Sequence, residues 1–450
     1  MSKLLLAFYG DDFTGSTDAL EQLTLAGVRT ALFIEAPSSA RLKQFPGLQA
    51  VGVAGTARSL APAAMRQELM PALKKLKSLG VRHVHYKVCS TFDSSPEIGS
   101  IGCVLDVAGK IFRAPFVPLL VAAPPLGRYT IFGTHFARYG IGSSGRIYRL
   151  DRHPSISHHP ITPMTEADLR MHLAKQTKKT IALFDILQVA LPEQAARAAL
   201  NEILAEKPDV VLFDAIYHEQ LARIGSLIDG FASERRPLFS IGSSGIEAAL
   251  TACWNEPQRQ AGKRLAGTLA PPATQILVGS GSCSPVTKKQ IAWAVKNRFA
   301  EVALDAAAFQ FSEKGKTEIG RATAEAVKFL KAGRSVIVHT TRAGANQRVA
   351  ARLKGGTAKV LGTALGTILR EALDKTKVRR VCIAGGDTSS FAARALGIEA
   401  LEMAAPLTLG APLCRVIAPG SPADGIEIVF KGGQVGAENY FGVVKRGKNL

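Results

Sequence analysis

Leu4-Leu5-Leu6-Ala7-Phe8-Tyr9-Gly10-Asp11-Asp12-Phe13-Thr14-Gly15 runs from an apolar segment through two adjacent acidic residues to a Thr/Gly pair. Leu4 to Phe8 is a short unbroken apolar run, the pattern of a parallel strand covered on both faces. A Thr/Gly turn follows, then Ala19, Leu20, Leu23 and Ala26 at helical spacing, with Gly27 placed to end the helix. Strand, acidic turn and helix in that order predict an open α/β sheet, which binds ligands beyond the carboxyl ends of its strands. Asp11 and Asp12 stand at that end. Asp12 or Thr14 can cap the helix, but two adjacent carboxylates repel unless a ligand, a cation or a basic side chain neutralises them. The pair is therefore a candidate site.

Working outward, 450 residues exceed one ordinary core, so two domains are expected. Strand-like runs recur at Ala31 to Ile34, Ala50 to Ala54, His83 to Val88, Val117 to Ala122, Ile181 to Phe184, Val210 to Phe213 and Leu238 to Ile241. Helical patterns lie between most of them, at Ala63 to Leu79, Glu166 to Gln176, Glu193 to Ala205 and Ile246 to Trp254. After polar, Gly/Pro-bearing sequence from Asn255 to Pro272, a second set has strands at Gln275 to Val278, Val336 to His339 and Val381 to Ala384. Its helices are expected at Val286 to Phe299, Glu318 to Leu330 and Thr363 to Leu373, and Cys414 to Ala418 can pair with Ile426 to Phe430. The expected fold is α/β: two domains, each a mainly parallel sheet flanked by helices, with the active site in the cleft between them. The boundaries are 1–254, a linker at 255–272, and 273–450.

A net charge of +20 raises the question of nucleic acid. The basic residues are scattered in pairs such as Lys74-Lys75 and Arg379-Arg380, and only 6% of residues are aromatic, leaving few platforms for bases. No nucleic-acid partner is expected; a positive field instead gathers small anions and nucleotides. The longest uncharged apolar stretch, Ala114 to Leu126, is proline-rich and too short to span a bilayer, so no membrane partner is expected either. The N-terminus lacks a signal-peptide pattern, and the six cysteines form no C-x-x-C pair, as in a reduced cytoplasmic protein. Homo-oligomer formation is left open.

Chemistry concentrates in few places. No Walker A loop is present, because Gly315-Lys316-Thr317 lacks its upstream glycine. Three Gly-rich turns follow apolar strands instead: Gly279 to Pro285, Gly385-Gly386-Asp387-Thr388-Ser389-Ser390, and Lys431-Gly432-Gly433-Gln434-Val435-Gly436. Backbone N–H groups and hydroxyls at such turns can cradle phosphates without a lysine loop. Lys87 to Gly102 crowds a cation, hydroxyls and a carboxylate between a strand and a helix, suiting a small hydroxylated acid: Lys87 for its carboxylate, Ser90, Thr91 and Asp93 for its hydroxyls. Arg138, Arg149 and Arg152 are reserve cations for that carboxylate. Cys89 reads as a packing residue, and His158-His159 as an extended connector that contributes one histidine to a site or an interface.

Taken together, these segments resemble the four-carbon acid sugar kinase family. The matching residues are Gly10-Asp11-Asp12-Phe13-Thr14-Gly15, Cys89-Ser90-Thr91-Phe92-Asp93-Ser94, His159-Pro160-Ile161-Thr162-Pro163-Met164, Gly281-Ser282-Cys283-Ser284 and Gly385-Gly386-Asp387-Thr388. The second and third look most like the 3-oxo-tetronate kinase branch. The resemblance implies an N-terminal acid-sugar domain, a C-terminal domain for ATP with Mg2+, and phosphoryl transfer to the 4-hydroxyl of a four-carbon acid. It places Ser282 or Ser284, together with Gly385, Gly386, Asp387, Thr388 and Gly432, on ATP; the residue chemistry itself puts Lys87, Ser90, Thr91, Asp93 and His159 forward for the sugar acid. Asp12 is the first choice as base and Asp11 as holder of substrate or cation, with the reverse left open; the metal ligands are undefined. Two departures lie on the substrate side: Gly99-Ser100-Ile101-Gly102 replaces the branch's Gly-Asn-Ile-Gly, and Leu150 to His158 does not follow the pattern.

Overall fold

Five consecutive residues with no exposed side chain, Leu6–Gly10, form strand β1, and their apolar character is explained by neighbours on both edges and cover on both faces. The computed structural model describes residues 4–141, 144–159, 161–254, 269–282, 284–340 and 356–448. The chain divides into two units, Met1–Tyr139 with Ser144–Leu265, and Gly140–Ser143 with Ala266–Leu450. The second unit thus begins at Ala266 and takes in a short excursion in which Ile141 bridges Val435. Residues 255–268 of the expected linker lie outside the described residues.

In the first unit the other strands are β2 (Thr30–Phe33), β3 (Ala50–Ala54), β4 (His83–Lys87), β5 (Val117–Leu120), β9 (Ile181–Phe184), β10 (Val210–Phe213) and β11 (Leu238–Gly242). They pair in the order β2-β3-β1-β4-β11-β5-β10-β9, every pair parallel. The chain leaves β1 toward β2 and β3 on one side and returns to β4 on the other. That reversal opens a crevice at the carboxyl ends of β1 and β4, where Gly10 lies opposite Lys87.

The sequence reading missed an antiparallel meander of β6 (Arg128–Ile131), β7 (Thr134–Arg138) and β8 (Ile147–Arg149). Its strands are short and partly polar, so no apolar run marks them. Phe132 and Gly133 turn the first hairpin at φ 50 and 78, and the buried Asp214 carboxylate accepts N–H bonds from both and from Ile186. The helix expected at Glu166 to Gln176 is shorter, Leu169–Ala174, because Asp168 caps it by accepting from Arg170 N.

The second unit has β12 (Leu277–Ser280), β13 (Ala300–Ala303), β14 (Val336–His339), β15 (Arg380–Ala384), β16 (Ala400–Thr408), β17 (Ala411–Ile417) and β18 (Glu427–Lys431). Their order is β13-β14-β12-β15-β18-β17-β16, parallel from β13 to β18 and antiparallel at the two last pairings. The expected late pair is present as β17 and β18. β12 repeats the position of β1: the chain departs to one side and returns to β15 on the other, which aims the Gly-rich turns at one crevice.

Close helix packing in the first unit depends on Gly225, where a Cβ would lie 1.9 Å from the carbonyl oxygen of Ala249 on the neighbouring helix Gly245–Cys253. Gly225→Ala is expected to cost roughly 1–3 kcal/mol, the scale of overpacking a tight contact. A thermal melt unchanged from the parent would contradict the tight contact.

Candidate functional site

In the first unit the elements that end at the crevice bring Asp11, Asp12, Lys87 and Asp93 into one electrostatic group. Asp12 is the N-cap of the helix Phe13–Leu25: its Oδ1 accepts from Gly15 N at 2.7 Å. Its Oδ2 accepts from Thr14 Oγ1 at 2.6 Å and is paired with Arg58 Nη2 at 2.9 Å. Asp12, the first choice for base, is thus committed to a cap and an ion pair. Asp11 is not. It is 4% exposed, and among the described residues its Oδ1 has no hydrogen-bond partner. Burial, then the neighbouring Asp12 charge, pushes its carboxyl up to about 8, although Arg58 and Lys87 pull the other way.

Lys87 closes β4 and is 1% exposed. Its Nζ donates to Val88 O at 3.0 Å and pairs with Asp18 Oδ2 at 3.2 Å. Burial alone would lower its pKa, but the facing carboxyl groups, Asp18 first, outweigh burial and raise it. Glu247 is fully buried, both of its oxygens lack hydrogen-bond partners among the described residues, and burial raises it to about 8. Lys87, expected to meet a substrate carboxylate, already has its counter-charge inside the protein.

The loop after β4 supplies the rest. Thr91 Oγ1 donates to Asp93 Oδ1 at 2.9 Å, and Cys89 Sγ lies 3.0 Å from Thr91 Oγ1. Burial pushes the Cys89 thiol up to about 12, which favours the neutral thiol of a packing residue. Ser90 is buried, and its carbonyl accepts from His135 Nε2 of β7 at 3.0 Å. His159 turns Nδ1 into its own turn, toward Thr162 N and Oγ1 at 3.2 and 3.0 Å; among the described residues no hydrogen bond joins it to the Asp11 group. Of the reserve arginines, Arg149 and Arg152 pair with Asp151, and Arg138 donates to Gly145 O. Ser100, which departs from the branch pattern, caps the helix Ile101–Ile111 through Cys103 N at 3.2 Å.

Sequence reasoning missed Arg58, Asp18, Glu247 and Arg128. Arg128 is 2% exposed; Nη1 donates to the carbonyls of Leu126, Gly127 and Arg138, while Nε has no partner. Cys89 and Asp93 are its nearest electrostatic neighbours. Two of the four carried a signal, since Arg58 follows β3 and Glu247 follows β11, both at carboxyl ends of central strands.

In the second unit the three Gly-rich turns share one small space. A Cβ on Gly281 would lie 2.4 Å from Thr388 Oγ1, one on Gly385 3.2 Å from Ser282 N, and one on Gly433 2.9 Å from Ser284 Cβ. Gly385, at φ 128, adopts a conformation closed to other residues and leads into the helix Gly386–Ala395. Ser284 caps the helix Pro285–Lys296 by accepting from Val286 N, and Ser282 Oγ accepts from Ser284 N, both at 3.2 Å. Ser280, at the end of β12, has a fully buried hydroxyl without a hydrogen-bond partner among the described residues. Gly432 lies between the last strand and Gly433. Cys283 and the Asp387 side chain are outside the described residues. Small residues, hydroxyls and backbone N–H groups around one point form an anion cradle.

A family model described as a Sugar-binding N-terminal domain matches residues 6–250, and one described as a Nucleotide-binding C-terminal domain matches 277–441. A Paraburkholderia graminis protein named 3-oxo-isoapionate kinase is 41% identical over 463 residues, covering 99% of this chain and 95% of the relative. A 3-oxo-tetronate kinase of Methylobacterium radiotolerans is 30% identical over 443 residues, covering 98% of each chain. A solved structure from Salmonella typhimurium LT2, described as a putative tRNA synthase, superposes with a TM-score of 0.73 over 98% of both chains at 24% identity, a likeness of fold alone.

The buried carboxyl of Asp11 has a measurable signature. It ionises at about 8 in the fold against an ordinary 3.8, so the folded state holds a proton across that window. The stability this contributes is full below the ordinary value and is lost as pH rises through 8. Asp11→Asn removes the effect: the variant should gain on the parent by on the order of 1 kcal/mol or more between pH 5 and pH 9. Denaturant titrations at the two pH values check this; an equal difference at both would show that Asp11 ionises normally.

Proposed function

Because the chain belongs to the four-carbon acid sugar kinase family, we propose that it transfers the terminal phosphoryl group of ATP to a hydroxyl of a 3-oxo sugar acid. The observation that carries this reading is the match of each unit's crevice to its domain's role. Buried charged groups gather in the sugar-binding match, and three Gly-rich turns converge in the nucleotide-binding match.

Both relatives' names specify a 3-oxo acid. The 41% identity, with the substrate-side departures at Ser100 and Leu150 to His158, favours 3-oxo-isoapionate as substrate. The 3-oxo-tetronate expected from the Cys89 to Ser94 segment is the second reading, supported by the 30% relative.

In this proposal Arg128 receives the acid's carboxylate, because Lys87 is already neutralised by Asp18. Thr91 and Asp93 orient hydroxyls. Asp11 takes the proton of the attacking hydroxyl: a carboxyl raised toward the working pH is a stronger acceptor once ionised. Asp12 and Arg58 hold the turn that presents it. Ser282, Ser284, Gly385, Gly386, Thr388 and Gly432 receive the phosphates, with Asp387 and His159 kept as further candidates. Mg2+ would accompany ATP. Among the described residues no three His, Cys, Asp or Glu side chains form a cage, but Mg2+ binds kinase sites mainly through substrate phosphates and one or two carboxylates. No step here runs through the metal.

Steady-state kinetics over a panel of sugar acids should give the highest kcat/KM with 3-oxo-isoapionate, then 3-oxo-tetronate, with threonate and erythronate far lower. Preference for an acid without the 3-oxo group would contradict the assignment.

The same assay tests Asp11. Parent kcat/KM should fall as pH drops below about 8, and Asp11→Asn should lower kcat by roughly 10²-fold or more while leaving ATP affinity intact. A variant that keeps the parental rate would return Asp11 to a structural role.

A further inference from the structure

We propose that Lys431 is the positioning residue of the second unit: it registers the three Gly-rich turns and supplies the uncompensated positive charge over which a nucleotide's phosphates are seated, so that phosphate binding draws a proton onto its Nζ. The proposal rests on reading this unit as the nucleotide site, and it concerns a residue with no expected role.

Lys431 ends β18 and is completely buried. Its main chain holds one turn, since Gly385 N donates to Lys431 O at 3.0 Å. Its side chain holds the other two through Thr287, in the first turn of the helix Pro285–Lys296. Nζ donates to Thr287 Oγ1 at 3.0 Å, and that hydroxyl donates onward to Gly433 O at 3.4 Å. One lysine thus connects the turn after β12, the turn after β15 and the turn after β18, which meet within van der Waals contact at Gly281, Gly385 and Gly433.

What is missing around Nζ is a counter-ion. Among the described residues no carboxylate lies at ion-pair distance from it. The titratable groups that face it are Cys382 on β15, whose thiol burial pushes up to about 12, and Tyr440 on the helix Tyr440–Arg446, whose ring lies 5.6 Å from Nζ. The Cys382 thiol is neutral at physiological pH. A buried ammonium so placed is costly, and burial lowers it to about 7. A phosphate chain seated on the turns supplies the absent negative charge. The proton comes from solvent, and no bond other than N–H forms.

Calorimetry of ADP binding to the full chain tests this, run at pH 6, 7 and 8 in buffers of different ionisation enthalpy. The parent should take up almost no proton at pH 6, where Lys431 is already charged, and close to one at pH 8. Lys431→Met should abolish the uptake at pH 8 and weaken ADP binding there about tenfold or more, the scale of losing a charge-assisted contact. Thr287→Val should weaken binding yet keep the uptake, because the ammonium remains. If Lys431→Met does not fold, the parent's pH series alone decides. ADP binding with the same proton count at pH 6 and 8 overturns the role of Lys431 while leaving the nucleotide reading intact; no binding heat at any pH with folded protein overturns the nucleotide reading and the proposal with it.

Discussion

An ammonium group 1% exposed at the end of a central strand has to be neutralised where it stands, and Lys87 organises the first unit around that requirement. Asp18 comes from the helix that follows β1, Glu247 from the helix that follows β11, and Asp11 from the turn between β1 and its helix. Only Asp18 forms the ion pair. Burial, joined at Asp11 by the neighbouring Asp12 charge, outweighs the pull of Lys87, so Asp11 and Glu247 retain their protons near neutral pH. The arrangement ties three elements to one charge, and removing the lysine would leave a buried carboxylate without its counter-ion. It also leaves Asp11 as an unpartnered carboxyl poised near the pH at which it would work.

The same strand order serves two chemistries. β2-β3-β1-β4 and β13-β14-β12-β15 each place the first strand of the set between a pair reached on one side and a strand reached on the other. In the first crevice the carboxyl ends carry charged side chains, suited to a small acid whose hydroxyls and carboxylate each need a partner. In the second they carry glycines and hydroxyls, suited to a polyphosphate that is bound through many backbone N–H groups. Side-chain volume separates them: the second crevice exists because Gly281, Gly385 and Gly433 have no Cβ to fill it.

Much of this was legible in the residues. Ala50–Ala54, Ile181–Phe184, Val210–Phe213 and Val336–His339 match the sequence reading at both ends, because parallel strands are short, almost wholly apolar runs. The meander from Arg128 to Arg149 was not legible, since its strands alternate with polar residues. Its first hairpin depends on Asp214, which lies 82 positions beyond Phe132 and out of reach of any local pattern. At the site, the Asp11-Asp12 pair and the Lys87 to Asp93 loop could be read as chemistry, but their division of labour could not. Asp12 gives itself to the cap and to Arg58, and although Arg58 follows a central strand, nothing local in the sequence pairs it with Asp12, 46 positions earlier. Lys87 looked free to bind an acid because Asp18 and Glu247, distant in sequence, are brought to it by folding alone.

In the proposed reaction a phosphoryl group moves from ATP to a 3-oxo sugar acid. Phosphorus NMR of the purified protein with ATP and 3-oxo-isoapionate or 3-oxo-tetronate tests it most directly. The account predicts a new phosphate monoester resonance growing in step with ADP and dependent on the acid. ADP accompanied only by inorganic phosphate, or ATP left unchanged with every 3-oxo acid, would contradict it.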